Sequence, residues 1–175
     1  MSHLTQTWKE FEKWTKEKYI STKQKIILDV GCKNHDSRAF FEVLEMKWTG
    51  IDKDPEAKKS IDNNLFKMDM TNLKFDDESF DFVFVCHSLE HCENPLQALR
   101  EFRRVLISQG WLFISLPCYC ENHILESDED HLFVLSDIQL MRLLKYTGFN
   151  NALCFKGEPI DSAPHQYNLI GIARK

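Results

Sequence analysis

Between Phe80 and Val85 the chain reads Phe-Asp-Phe-Val-Phe-Val, apolar at five of six positions. A strand with one wet face alternates apolar and polar residues. A near-continuous apolar run is instead covered on both faces, as in parallel sheets flanked by helices. Lys25-Ile-Ile-Leu-Asp-Val30 has the same character and ends at Gly31. Shorter runs follow the same rule at Trp48–Ile51, Asn64–Met68 and Trp111–Leu116.

Helical patterns separate these runs. Ser37 is placed to cap a helix carrying Ala39, Phe40, Phe41, Val43 and Leu44. Asn94-Pro95 opens a second helix, with Leu96, Leu99, Phe102, Val105 and Leu106 on one side and Gly110 ending the turn after it. Ser136 or Asp137 opens a third, stopped by Gly148. Before the first strand, Trp8, Phe11 and Trp14 recur at helical spacing among Lys and Glu, so residues 7–19 form an amphipathic helix. That helix is expected to pack on the core rather than line a pocket. The last two strands, around Ala152–Phe155 and Tyr167–Ala173, are joined by the polar stretch Gly157–His165 with no helix between them. They form an antiparallel hairpin. The expected architecture is α/β: a three-layer, doubly wound, mainly parallel sheet of about seven strands with an antiparallel C-terminal hairpin.

In open parallel sheets, ligands bind beyond the carboxyl ends of the strands, where the strand order reverses. Each strand end here is polar. The first is followed by Gly31-Cys32-Lys33-Asn34-His35-Asp36, the second by Asp52, the third by Asp69 and Met70, and the fourth by Cys86-His87-Ser88-Leu89-Glu90-His91. A glycine directly after the first strand lets backbone and ligand approach closely. Asp52, 21 positions beyond Gly31, is placed to accept both hydroxyls of a ribose. The set together predicts a nucleoside-binding site.

These residues resemble the class I S-adenosylmethionine-dependent methyltransferases, from about Ile26 to Phe149. The matching pieces are Leu28-Asp-Val-Gly-Cys32, Gly50-Ile-Asp52, Met68-Asp-Met70, Phe75-Asp-Asp-Glu-Ser-Phe-Asp-Phe-Val-Phe-Val85, Ser88-Leu-Glu-His91, Leu99-Arg-Glu-Phe-Arg-Arg-Val-Leu106 and Leu144-Lys-Tyr-Thr-Gly-Phe149. The resemblance implies one methyltransferase-like domain over residues 1–175, with 1–22 an N-terminal helical extension. It implies S-adenosylmethionine as cofactor. Asp29, Gly31 and Cys32 would lie against its methionine part, and Asp52, with Lys53 beside it, would hold the ribose. Asp69 would accept from the adenine amino group and Met70 would pack on the ring, while Cys86 and His87 would begin the stretch that faces the sulfonium and the acceptor.

Methyl transfer from a sulfonium is an in-line displacement, so the protein chiefly holds donor and acceptor together and excludes water. A hydroxyl or amine acceptor also needs a base. His91 is the first candidate, because imidazole titrates near neutral pH, with His87 and Glu90 behind it. The expected reaction is O- or N-methylation of a small molecule.

The family usually has two more glycines in its first loop, where this chain has Lys33 and His35. That departure keeps open a non-catalytic methyltransferase-like binding or interaction protein. His87-Ser-Leu-Glu-His91 also fits the His-x-x-Glu-His pattern of a zinc hydrolase. Such ligands need a helix, however, and this motif follows a strand and precedes Asn94-Pro95. No third ligand is evident by position, although His123 and His131 are available, and no metal is assigned.

The formal net charge is −5, which disfavours a nucleic-acid-gripping surface. The segment Pro117–Leu135 is the main insertion, with Cys118, Tyr119, His123 and His131 as possible substrate liners, and its acidic run Glu126–Asp130 disfavours a polyanion. The start Met-Ser-His-Leu-Thr-Gln-Thr-Trp is too polar for a signal peptide and there is no long apolar run, so the expected setting is cytoplasmic, with no membrane partner. In that setting the six cysteines are expected to be reduced thiols.

Overall fold

A computed structural model of the 175-residue chain describes residues 3–33, 37–54, 64–118, 130–160 and 163–175. The elements run α1 (His3–Glu17), β1 (Ile26–Val30), α2 (Arg38–Val43), β2 (Lys47–Asp52), β3 (Leu65–Lys67), β4 (Phe80–Cys86), α3 (Pro95–Val105), β5 (Leu106–Cys118), α4 (Asp137–Tyr146), β6 (Asn150–Ile160) and β7 (Ala163–Arg174), with a 3₁₀ turn at Leu89–His91. The seven strands form one sheet in the order β3-β2-β1-β4-β5-β7-β6. β1 pairs in parallel with both β2 and β4, and only β7 runs antiparallel to its neighbours β5 and β6. The order reverses between β1 and β4, so their carboxyl ends open the crevice where such folds take ligands.

The strand pattern explains the three layers. In β4, Val83 and Val85 face the α3/α4 side with Leu99, Phe102, Leu140 and Leu144. Phe82 and Phe84 face the α1/α2 side. That second side is aromatic: Phe11 is fully buried with its ring 5.3–6.4 Å from those of Phe40, Phe41, Phe82, Phe84 and Phe113. Trp8 stacks on Phe40 at 5.0 Å. The aromatic stripe of α1 is therefore core, as its spacing predicts.

The helix starts divide. Asn94 caps α3 by accepting from Gln97 N, and Ser136 forms a reciprocal capping box with Gln139 at α4. Ser37 does not cap α2; its hydroxyl donates to the buried carboxylate of Asp29. β5 begins five residues earlier than the apolar run implies, because Leu106 pairs with Phe80 before the register breaks and resumes at Trp111 opposite Phe82. Gly110 thus lies inside an irregular strand. The C-terminal hairpin also outruns its apolar stretches, pairing to Ile160 and Ala163. Within it, the Lys156 ammonium sits 3.4 Å from the Tyr167 ring centroid.

The described cysteines Cys32, Cys86, Cys92, Cys118 and Cys154 are thiols, not disulfides. Among the described residues no helix is long and apolar enough to cross a membrane. Tyr119, Cys120, His123 and residues 126–129, in the insertion singled out above, lie outside the described residues, as does His35.

Candidate active site

A cavity of about 680 Å³ opens at the carboxyl ends of β1 to β4. Its size is that of a small-molecule site. Val30, Gly31 and Lys33 wall it from β1, while Ile51, Asp52, Lys53 and Asp54 do so from β2. Met68 to Thr71 contribute from β3, and His87, Ser88 and His91 to Asn94 from beyond β4.

Gly31 has a local reason to be glycine. Its φ is +73°, and a Cβ there would sit 2.3 Å from Ser88 Cβ. Its N–H donates to Ile51 O at 2.9 Å, which ties the two strand tips together. Lys33 follows in the left-handed region, at φ +50°, and its N–H donates to Asp52 Oδ2 at 2.9 Å. Lys33 thus takes a left-handed conformation without being glycine. Asp54 N donates to Asp52 Oδ1, also at 2.9 Å. A strand-tip carboxylate is expected to be solvated and unpaired; Asp52 instead anchors two loop amides, and each oxygen retains a lone pair for a ligand.

Asp69 receives both the N–H and the hydroxyl of Thr71 on Oδ1, at 2.8 and 2.7 Å, and these bonds hold its carboxyl below the usual range. It is therefore ionised at neutral pH. The segment that carries it is braced by α3: Leu73 N donates to Glu101, and Arg104 donates to the carbonyls of Leu73 and Phe75.

Three residues expected at the cofactor do not line the cavity. Strand alternation turns Asp29 away from the α3 face on which Leu28 and Val30 lie. It is 2% exposed, with the Trp48 indole N–H donating to it at 3.0 Å and Ser37 beside it. Burial pushes its carboxyl up to about 6, against the opposing hydrogen bonds of Ser37 and Trp48. Cys32 packs with the aromatic cluster. Burial pushes the Cys86 thiol up to about 12, with Thr7 of α1 hydrogen-bonding to it. Asp29 is thereby held between Ser37 and Trp48, and neither cysteine walls the cavity.

The stretch after β4 carries the histidines. His87 has φ +47°, and its Nε2 lies 2.9 Å from Asn168 Oδ1. Asn168 Nδ2 donates to Thr7 Oγ1 at 3.0 Å, and Thr7 Oγ1 is 2.9 Å from Ser115 Oγ. Thr7, Ser115 and Asn168 are fully buried. This relay is absent from the sequence expectations, although polar Asn168 and Ser115 inside otherwise apolar strands are a readable sign.

Residues 89–91 make one 3₁₀ turn, not a helix, so His87 and His91 do not share the helical face that a His-x-x-Glu-His zinc site requires. Glu90 is 1% exposed; its Oε1 lies 3.7 Å from His87 Nδ1 and 4.0 Å from His131 Nε2. His91 Nδ1 lies 2.9 Å from Asp130 O, and its ring centroid is 4.9 Å from that of His131. A carbonyl only accepts, so Nδ1 carries the proton and, in the neutral ring, Nε2 keeps its lone pair.

A family model described as a methyltransferase domain matches residues 28–114, from β1 into β5. The chain is 47% identical over 47 residues to the uncharacterised protein YafS of Escherichia coli (strain K12), covering 27% of this chain and 20% of that one. It is 29% identical over 108 residues to the tRNA U34 carboxymethyltransferase of Aliarcobacter butzleri (strain RM4018), covering 55% and 35%. It therefore spans about a fifth to a third of the length of these curated relatives. Its fold is shared with a SAM-dependent methyltransferase from Archaeoglobus fulgidus, at a TM-score of 0.71 and 17% identity over 96% of this chain and 94% of that one. Sheet order, matched segment and shared fold agree: residues 28–114 carry a methyltransferase domain, and the chain has the fold of the S-adenosylmethionine-dependent methyltransferases.

Proposed function

We propose that the chain transfers a methyl group from S-adenosylmethionine to a small-molecule hydroxyl or amine. The observation that carries this reading is the placing of two carboxylates, Asp52 and Asp69, on one cavity beside a glycine that a Cβ would close. Asp52 would accept from the ribose hydroxyls, Asp69 from the adenine amino group, and Met70 would cover the ring. Gly31 leaves room for the backbone to run against the methionine part. The cofactor supplies an already activated methyl; the protein supplies alignment and a dry site. Lys33 supports turnover rather than a dead relative, because its backbone forms the turn and bonds Asp52.

His87, Glu90 and His91 stand on the acceptor side. His91 Nε2 is the proposed proton acceptor, and His87 is held by Asn168. A small acceptor fits better than a polyanion, since Asp52, Asp54, Asp69 and Glu93 line the cavity against Lys33 and Lys53.

Calorimetric titration tests the reading. Charge-assisted bonds of this kind are worth about 1.5–3 kcal/mol, so Asp52→Ala is expected to weaken S-adenosylmethionine binding by roughly ten- to a hundredfold. Its loss of the Lys33 and Asp54 amides should also lower stability by about 1 kcal/mol. Asp76→Ala, an exposed carboxylate in the loop before β4, is the control and binds normally. Equal affinities in the two variants would reduce Asp52 to a loop anchor. No binding by the unmodified chain at millimolar cofactor would remove the proposal.

A further inference from the structure

We propose that Glu90, His91 and His131 form a binding site for a divalent first-row transition cation of the zinc type, at the rim of the cavity. One ligand atom from each lies within 4.8 Å of the other two. Around a tetrahedral zinc, ligand atoms stand about 3.3 Å apart at bond lengths near 2.0–2.2 Å, so small side-chain rotations close the set. Two imidazoles and one carboxylate are the donor set of open zinc sites, in which the remaining position takes water or an incoming oxygen. His91 lines the cavity, so that position would face whatever enters it; this placement beside the acceptor rests on the proposed function, whereas cation binding itself does not.

The backbone holds the three residues together from both sides. Leu132 N donates to Glu90 O at 2.9 Å, and His91 Nδ1–H donates to Asp130 O at 2.9 Å, so His131 is bracketed by two bonds to the 3₁₀ turn. The second bond is the outer-shell contact typical of a metal-bound imidazole: one ring nitrogen donates to a carbonyl, fixing the tautomer that presents the other nitrogen to a metal. Glu90, 1% exposed, brings a carboxylate into a dry place where a neighbouring positive charge is worth most. The arrangement is not the one the His-x-x-Glu-His motif implies. His87 is engaged with Asn168, and the second imidazole comes from a segment forty residues downstream.

A lone pair on His91 that holds a cation does not act as a base, so the experiment also separates these two roles. The full chain is stripped with chelator and titrated with Co²⁺, reading the visible absorption of low-coordinate cobalt, with Zn²⁺ competing. One cobalt per chain is expected, displaced by zinc. Glu90→Gln, His91→Ala and His131→Ala should each weaken it at least tenfold. Circular dichroism and S-adenosylmethionine titration run on the same samples. Glu90→Gln preserves shape, and should it fail to fold, His131→Ala decides. Absence of cobalt binding by the unmodified chain, or unchanged binding in His131→Ala, overturns the site. Cofactor binding in the metal-free chain tells that failure apart from failure of the methyltransferase proposal.

Discussion

Replacing Gly31 with alanine is expected to lower stability by about 3 kcal/mol and to distort the cavity at its centre. Two costs add. A left-handed φ of +73° costs a residue with a Cβ roughly 1–2 kcal/mol relative to glycine. The new methyl would also meet Ser88 Cβ at 2.3 Å and Ser88 Oγ at 2.7 Å, and overpacking of this kind costs roughly 1–3 kcal/mol. Ser88 cannot simply turn aside, because its hydroxyl donates to Val30 O at 3.0 Å and its residue is 7% exposed. Urea unfolding measures the loss. The double variant Gly31→Ala/Ser88→Gly should recover the steric share and leave the backbone share, giving a coupling energy of about 1 kcal/mol or more. A single variant within about 0.5 kcal/mol of the unmodified chain would show that neither cost operates.

Asp29→Asn should raise stability at pH 8 by about 2–3 kcal/mol relative to the unmodified chain, with little change at pH 4. Burial is the main cause: it raises the Asp29 carboxyl from an ordinary 3.8 to about 6, more than Ser37 and Trp48 lower it. The folded state therefore holds its proton to higher pH than the unfolded chain does. The stabilisation is complete below about pH 4 and is lost as pH rises through 6, a loss of about 3 kcal/mol. Asparagine stays neutral throughout, and its carbonyl can still accept from Ser37 and Trp48. Parallel denaturation at the two pH values checks the sign. A variant that gains nothing between pH 4 and pH 8 would mean the carboxylate is fully compensated in place.

What could be read from the sequence is what local pattern records. Val83–Val85 and Ile27–Leu28 announce buried strands because each residue must be apolar whichever face it takes, and β1 and β4 form there. Asp52 and Asp69 are legible because a strand end fixes which way the next residues point, and both line the cavity. The failures come where a partner far along the chain competes for a group. Ser37 looks like a cap, but a buried Asp29 has more need of its hydroxyl. Leu106 looks like the last helical residue, yet pairing with Phe80 draws it into β5. Asp29 sits in a strand whose alternation sends it to the aromatic face. Thr7 and Asn168 reach His87 from remote segments, and no spacing rule encodes that meeting.

The buried relay from α1 bears on the order in which this molecule is made. Thr7 bonds Ser115, 108 residues on, and Asn168, 161 residues on, while Glu10 accepts from Glu158 N across 148. At ~5–20 residues per second of synthesis, α1 emerges about 5–30 s before these partners exist. A 15-residue helix is marginal by itself in water, so α1 waits for the sheet that buries Phe11 against Phe82, Phe84 and Phe113. Closure over so long a loop comes late. His87 receives its Asn168 contact only when β7 joins, and that same residue brings Thr7 a bond beyond the one from Ser115. Nascent chains that end before β7 should thus lack, together, the Asn168 bonds that hold His87 and Thr7.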